Sequence, residues 1–238
     1  MLSREILQAA RTFLTDHGFN IAEPALVENL DSRNKSVGHI RTHYANMRSL
    51  IFVANGGSIL WEQFSKWRIQ QKPDLQHPLD TYTKTTLEAL KTLLLEKNIG
   101  VETIFPFYQE KVWFNFQNLA EGLNITRASP LGLHLHPTYG PWLSFRGLLL
   151  LDQPWEKGIV ANTVENFDPC PTCNKPCIST CPAQALTVKG ADITKCYTYR
   201  LSPASPCVDR CLAREACPVG KEHQFPREAI AFHYRLTK

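Results

Sequence analysis

All eight cysteines of this 238-residue chain lie between Cys170 and Cys217, and the 169 residues before them contain none. Disulfide scaffolds are short and carry their cysteines throughout. A long thiol-free stretch followed by a dense cluster points instead to a reducing compartment, where grouped thiols hold metal or do redox chemistry. A cytoplasmic location is therefore expected. The opening MLSREILQAARTFL is interrupted by Arg4, Glu5 and Arg11, so it lacks the continuous apolar stretch of a signal peptide. The apolar run LLLL at 148–151 is far too short to cross a bilayer, and no membrane partner is expected.

The spacing narrows the chemistry. The first group reads Cys170-x2-Cys173-x3-Cys177-x3-Cys181-Pro182, and the second reads Cys196, then Cys207-x3-Cys211-x5-Cys217-Pro218. In two-cluster ferredoxins a tight loop supplies three thiolates to one cubane, and the cysteine of the Cys-Pro pair crosses to the other. That logic places Cys170, Cys173, Cys177 and Cys217 on one 4Fe–4S cluster, and Cys181, Cys196, Cys207 and Cys211 on a second. The first loop holds one residue more than the usual run, within Asn174-Lys175-Pro176. Two zinc ions are the alternative, since Cys170-x2-Cys173 alone suits a zinc knuckle. Disulfides are a further alternative. The formal charge of +4 would offset two oxidised clusters at about −2 each with their thiolates. Lys175, Lys195 and Arg210, beside ligands in sequence, would raise the cluster potentials.

Ahead of the cysteines the chain alternates helices and strands. Ile6, Leu7, Ala10, Phe13 and Leu14 recur at helical spacing behind Ser3, a cap, and Gly18 ends that helix. SLIFVANGG (49–57) reads as a buried strand followed by a helix from Ser58 that carries Ile59, Leu60, Phe64 and Trp67. Helices are expected at 80–97, behind Asp80, and at 108–123, with a short strand at 101–107 between them. Phe105, Phe107, Trp113, Phe114 and Phe116 make an aromatic band, mostly core with part available to floor an apolar pocket. In GLHLHPTYGPWLSFRGLLLL, His134 and His136 alternate onto one strand face, PTYGP turns, and 142–150 forms a second strand. A last helix spans 225–236. The composition shifts to Cys, Pro, Thr and Asn after Trp155, giving an α+β chain with domains 1–160 and 161–238.

The stretch HPTYGPWLSFRG, with His136, Pro137, Gly140, Trp142, Arg146 and Gly147, resembles the H-P-x-x-G-x-W-x-x-x-R-G segment of the cobalamin-processing proteins of the methylmalonic aciduria type C family. That resemblance implies a nitroreductase-like fold over the front domain and a bound cobalamin that loses its upper axial ligand. The hairpin followed by a two-cluster, bacterial-ferredoxin-like module also resembles epoxyqueuosine reductase and the reductive dehalogenases, which hold cobalamin in a related domain. KCYTYRL (195–201) sits where epoxyqueuosine reductase carries a comparable cysteine. The resemblances cover roughly residues 100 to 218. On this reading His136, Tyr139, Gly140, Trp142 and Arg146 contact the corrinoid, Arg146 through an anionic group. Surface or core roles are the plainer alternatives for each. The stretch NFQNLAEGLNITRASPLGLHLHP offers only Glu121 where epoxyqueuosine reductase has an acidic proton donor, and the twin-arginine signal of exported dehalogenases is absent.

The function expected is an iron–sulfur oxidoreductase. An external donor of the flavodoxin or ferredoxin-reductase type would reduce one cluster, and the electron would pass to the second and then to the corrinoid, or less readily a flavin. The alternatives are an epoxyqueuosine-reductase-like enzyme acting on tRNA, and a plain ferredoxin-type carrier whose front domain docks a partner.

Overall fold

The computed structural model describes residues 1–30, 40, 42–107, 114–160 and 167–235. The first part of the helix expected over 108–123, with Trp113, lies outside the described residues. The chain divides into two compact units: residues 1–125 with 144–163, and 126–143 with 164–238. The second unit thus takes in a segment that the sequence reading assigned to the front.

The chain runs through α1 (Arg4–Asp16), β1 (Ile21–Leu26), β2 (Ser49–Gly56), α2 (Ile59–Ile69), α3 (Pro78–Leu95), β3 (Val101–Ile104) and α4 (Phe116–Gly122). It then forms β4 (Arg127–Ala128) and β5 (His134–Leu135) of the second unit before β6 (Leu143–Leu151).

In the first unit the strands form a four-stranded sheet in the order β1-β2-β6-β3. β1 and β2 are antiparallel, with Ile21 opposite Ala54 and Leu26 opposite Ser49. β3 and β6 are antiparallel, with Val101 opposite Leu151. Every residue of β2 is buried, and so are the last six of β6, as near-continuous apolar runs require when both faces of a strand are covered. α1 starts where Ser3 Oγ accepts the Ile6 N–H, and it buries Leu7, Ala10 and Leu14 at helical spacing. α3 begins at Pro78, whose fixed φ suits the first helical position, rather than at the Asp80 cap expected. Asp80 lies in its first turn, where a carboxylate meets the positive end of the helix dipole. Phe64 and Trp67 of α2 pack with Tyr82 of α3, at ring separations of 6.0 and 5.2 Å. Phe52 packs edge-on against Phe145 and tilted against Phe116, so Phe116 of the aromatic band is core. The Trp155 indole donates to the Leu50 carbonyl at 3.2 Å.

The second unit is loop-rich. Its regular elements are the β4–β5 pair, α5 (Pro176–Thr180), a hairpin of β7 (Leu186–Thr187) and β8 (Gly190–Ala191), α6 (Ile193–Arg200), α7 (Leu212–Glu215) and α8 (Arg227–Arg235). One of its buried clusters gathers Leu131, Leu135, Cys177, Leu186, Ala213 and Cys217. Among the described residues, no helix is long and apolar enough to cross a membrane.

Candidate functional site

The turn at 136–140 is built by backbone and ring together. His136 and Gly140 exchange backbone hydrogen bonds, N–H to carbonyl at 2.9 and 2.8 Å. The His136 ring folds back over the turn, where its Nδ1 accepts the backbone N–H groups of Thr138 at 3.1 Å and Tyr139 at 3.3 Å. Burial, and then the neighbouring His223, push its pKa down to about 4. At neutral pH the ring is therefore uncharged. With Nδ1 occupied as an acceptor, its proton sits on Nε2. His136 is thus a fixed-tautomer hydrogen-bond donor, and Nε2 has no lone pair to give a metal. β5 itself ends at Leu135, so the two histidines do not continue along one strand. His134 is buried, with its Nδ1 3.0 Å from the Thr126 hydroxyl.

The same turn is packed against a second backbone. Gly140 has φ +52, and a Cβ there would lie 1.9 Å from the Val219 carbonyl oxygen. Gly220 has φ +63, and its Cβ would lie 2.3 Å from the Tyr139 carbonyl carbon. Only glycine suits either position, because both the left-handed conformation and the missing side chain are needed. The Tyr139 ring stands 5.0 Å from His136 and 4.9 Å from His223, so three rings form one cluster.

Trp142 is one of the most deeply buried side chains. The Arg214 guanidinium lies 4.5 Å from the centre of its ring and 5.0 Å from that of Phe225, and it donates from Nε and Nη2 to the Pro141 carbonyl at 3.2 and 2.6 Å. The Trp142 Nε1–H has no hydrogen-bond partner. Trp142 is therefore a core anchor under an arginine rather than an open ligand contact.

Arg146 lies in the other unit, only 6% exposed. Its Nε donates to Asn55 Oδ1 at 2.8 Å. Burial lowers its pKa to about 10, opposed by the Asp80 carboxylate. The Asp80 carboxyl is raised by burial, with Arg146 and His77 pulling the other way. Arg146 is an interior cation held by an amide, where the sequence suggested either an exposed salt bridge or an anion contact. The five residues proposed to touch a corrinoid are thus divided, with His136, Tyr139, Gly140 and Trp142 in one unit and Arg146 in the other. Glu121 lies on α4 of the first unit.

All eight cysteines are free thiols, with Cys177 and Cys217 buried. Burial first, then Asp168, Cys217, Cys177 and Cys173, push the Cys170 thiol up to about 11. Cys196 is raised by burial and then by Cys211, Cys181 and Cys207. Cys173 Sγ accepts the Lys175 N–H at 3.3 Å, and Cys211 Sγ accepts the Arg214 N–H at 3.4 Å. Among the described residues, however, no group of three or more His, Cys, Asp or Glu side chains could hold a metal ion. This corrects the expectation of a ferredoxin-like domain with two 4Fe–4S clusters. The electron relay, the iron–sulfur reductase activity and the plain ferredoxin-type carrier depended on those clusters and are corrected with them. The physical reason is geometric: close spacing along the chain makes a metal site only where three or more donor side chains converge, and among the described residues none do.

The sequence reading missed Arg214, His223 and Asn55. Arg214 sits between two cysteines with no hydropathy signal, and its importance comes from rings over 70 residues away or later in the chain. Asn55 ends a buried strand, and a polar residue at such a position was the available hint.

No family model matches the chain, and no curated protein matches it. Solved structures do. An epoxyqueuosine reductase crystallised with a tRNA-Tyr epoxyqueuosine-modified stem loop is similar over 95% of this chain and 69% of its own, at 12% identity and a TM-score of 0.55. A B12-trafficking protein from C. elegans, CblC, is similar over 98% of this chain and 92% of its own, at 14% identity and a TM-score of 0.57. A reductive dehalogenase, described with a mechanism for B12-dependent dehalogenation, is similar over 97% of this chain but 33% of its own, at 12% identity and a TM-score of 0.53. At these identities the likeness is one of fold: the chain shares the architecture of these structures.

Proposed function

We propose that the chain is a corrinoid-binding enzyme of the epoxyqueuosine reductase type, acting on a modified base in RNA. The observation that carries the reading is that several epoxyqueuosine reductase structures share this fold over 93–95% of the chain. One of them was caught with a tRNA stem loop and is similar over 95% of the chain. The net charge of +4 suits an anionic partner. Fold alone does not fix chemistry, so the residues must fit the group.

His136 fits a corrinoid as a donor. Its Nε2–H is suited to a carbonyl of the peripheral amides and, having no free lone pair, does not compete for the cobalt. Tyr139 and His223 fix the ring, and the Gly140–Gly220 contact fixes the turn. When bound, a reduced corrinoid supplies a strongly reducing, nucleophilic metal centre. The chain's own part would be to bind and orient the group, with the proton held on His136 Nε2.

The test uses the full chain. Hydroxocobalamin and its reduced form are titrated while absorbance is followed, and a tRNA stem loop carrying the modified base is then offered to the loaded protein with product read by mass spectrometry. A spectral shift with saturable binding, weakened in His136→Phe, is expected. No shift with either form would sink the proposal. A second reading, in which the corrinoid is the substrate, is favoured by the near-complete span of the CblC protein, 92% against 69% for the reductase. Turnover of the cobalamin itself without RNA would select it.

A further inference from the structure

The end of β2, the first turn of α3 and the strand β6 each contribute one residue to a polar cluster inside the first unit: Asn55, Asp80 and Arg146. Arg146 is buried, and its Nε–H is spent on Asn55 Oδ1 at 2.8 Å. A guanidinium carries five N–H donors, so the pairs on Nη1 and Nη2 are left. Among the described residues neither nitrogen has a hydrogen-bond partner. Neither is closed off from solvent in the way that Trp142 Nε1 is. An interior cation that keeps two such pairs of donors open is costly unless something accepts from them.

Asp80 is the acceptor within electrostatic reach. Burial is the larger effect on both groups, raising Asp80 and lowering Arg146, and each then pulls the other back. Yet among the described residues the two form no ion pair. The half-buried Asp80 carboxylate accepts no hydrogen bond among those residues either. His77, the other titratable group acting on Asp80, is exposed and precedes the helix. Pro78, at the first helical position, has no N–H and so removes one donor that an anion at this helix end would use.

We propose that Arg146 and Asp80 bind a neutral amide edge, a carbonyl with an N–H beside it. The carbonyl accepts from the Arg146 Nη donors, and the N–H donates to the Asp80 carboxylate. An anion would satisfy Arg146 but be repelled by Asp80, and a cation would do the reverse. A neutral amide gives each side chain a partner and adds no charge to a buried place. Open carboxamides share this chemistry with cyclic amides such as the lactam edge of guanine. The inference needs neither corrinoid nor RNA and stands apart from the preceding reading.

The probes are benzamide and its two charged isosteres, benzoate and benzamidinium, each titrated into the full chain and followed by saturation-transfer NMR. Benzamide binding with a Kd on the order of 1 mM is expected, with both isosteres about tenfold weaker. Guanosine and N1-methylguanosine separate the two sources. Guanosine binding that the methyl group abolishes assigns the site to a lactam, and benzamide binding without guanosine binding assigns it to an open carboxamide. Asp80→Asn removes the charge at nearly constant size. It should let benzoate bind at least as tightly as benzamide, with circular dichroism unchanged, a reversal that a purely structural role for Asp80 would not produce. No binding of either amide, or benzoate bound by the wild type as tightly as benzamide, would overturn the proposal. So would an Asp80→Asn variant that keeps the wild-type order of the three.

Discussion

The guanidinium of Arg214 lies 4.5 Å from the centre of the Trp142 indole and donates twice to the carbonyl of Pro141, the residue just before it. One side chain from the cysteine-rich segment thereby clamps the end of the 126–143 segment by both its ring and its backbone. Burial lowers the Arg214 pKa, which is the cost of placing a cation among rings. Arg214→Met keeps the apolar stem and removes the clamp. It should cost about 2 kcal/mol, read by chemical denaturation, and change the near-ultraviolet circular dichroism of Trp142. An unchanged spectrum would mean the stacking is incidental.

The backbone contact at Gly140 predicts a sharper loss. Gly140→Ala meets the Val219 carbonyl in a left-handed conformation and should cost about 3 kcal/mol or more. Gly158 is the control: its φ is +82 but nothing lies within 4 Å of a Cβ there. Gly158→Ala should cost only about 1 kcal/mol. Equal melting temperatures for the two variants would contradict the close approach.

His136 predicts a pH dependence. Its folded pKa of about 4 lies below the unfolded value near 6.5. Above pH 6.5 the ring is neutral in both states and its packing contributes in full. Between about 6.5 and 4 the unfolded chain takes up the proton first, so stability falls as the pH falls, by about 2 kcal/mol once partial solvent access is allowed for. His136→Asn places an acceptor oxygen near the position of Nδ1 and cannot titrate. It should flatten that part of the stability curve while preserving the turn, as followed by urea denaturation across the range.

Arg146 and Asn55 predict a non-additive pair. Asn55→Leu leaves a buried guanidinium without its acceptor and should cost about 3 kcal/mol. Arg146→Leu in the same background should recover part of that, so the double variant is more stable than the sum of single losses implies. Additive losses would show that the two side chains do not act as a unit.

Iron and acid-labile sulfide, measured in protein purified without oxygen, test the thiol geometry. Background levels, with eight thiols titrating in the unfolded chain, are the outcome of a set that could hold no metal. Stoichiometric iron and sulfide would overturn that correction and return the cluster reading.

Local signals in the chain were informative where they depend on near neighbours. Ser3 ahead of Ile6 and Leu7 gave α1 its start, the run SLIFVANGG gave β2, and the Gly-rich turn at 56–57 gave the entry to α2. The start of α3 was misplaced by two residues because Asp80 looks like a cap, while Pro78 supplies the pre-set φ that nucleates the first turn. What sequence could not supply were the long-range contacts. The partner of Arg146 is 91 positions away, and that of Pro141 is 73 positions away. The cysteine spacing was the boldest signal and misled, because spacing along a chain says which thiols are near but not whether their sulfurs meet.

The second unit is assembled from 126–143 and 164–238, with β6 laid down elsewhere between the two. Such a body cannot be cut out as one length of chain. A fragment ending near residue 160 would keep Trp142, Leu135 and Leu131 but lose Arg214, Phe225 and Cys217, leaving a sticky greasy loop rather than a tidy half. Shuffling this module between genes would take two coordinated insertions, so the pair is better regarded as one inherited whole than as a head with a detachable tail.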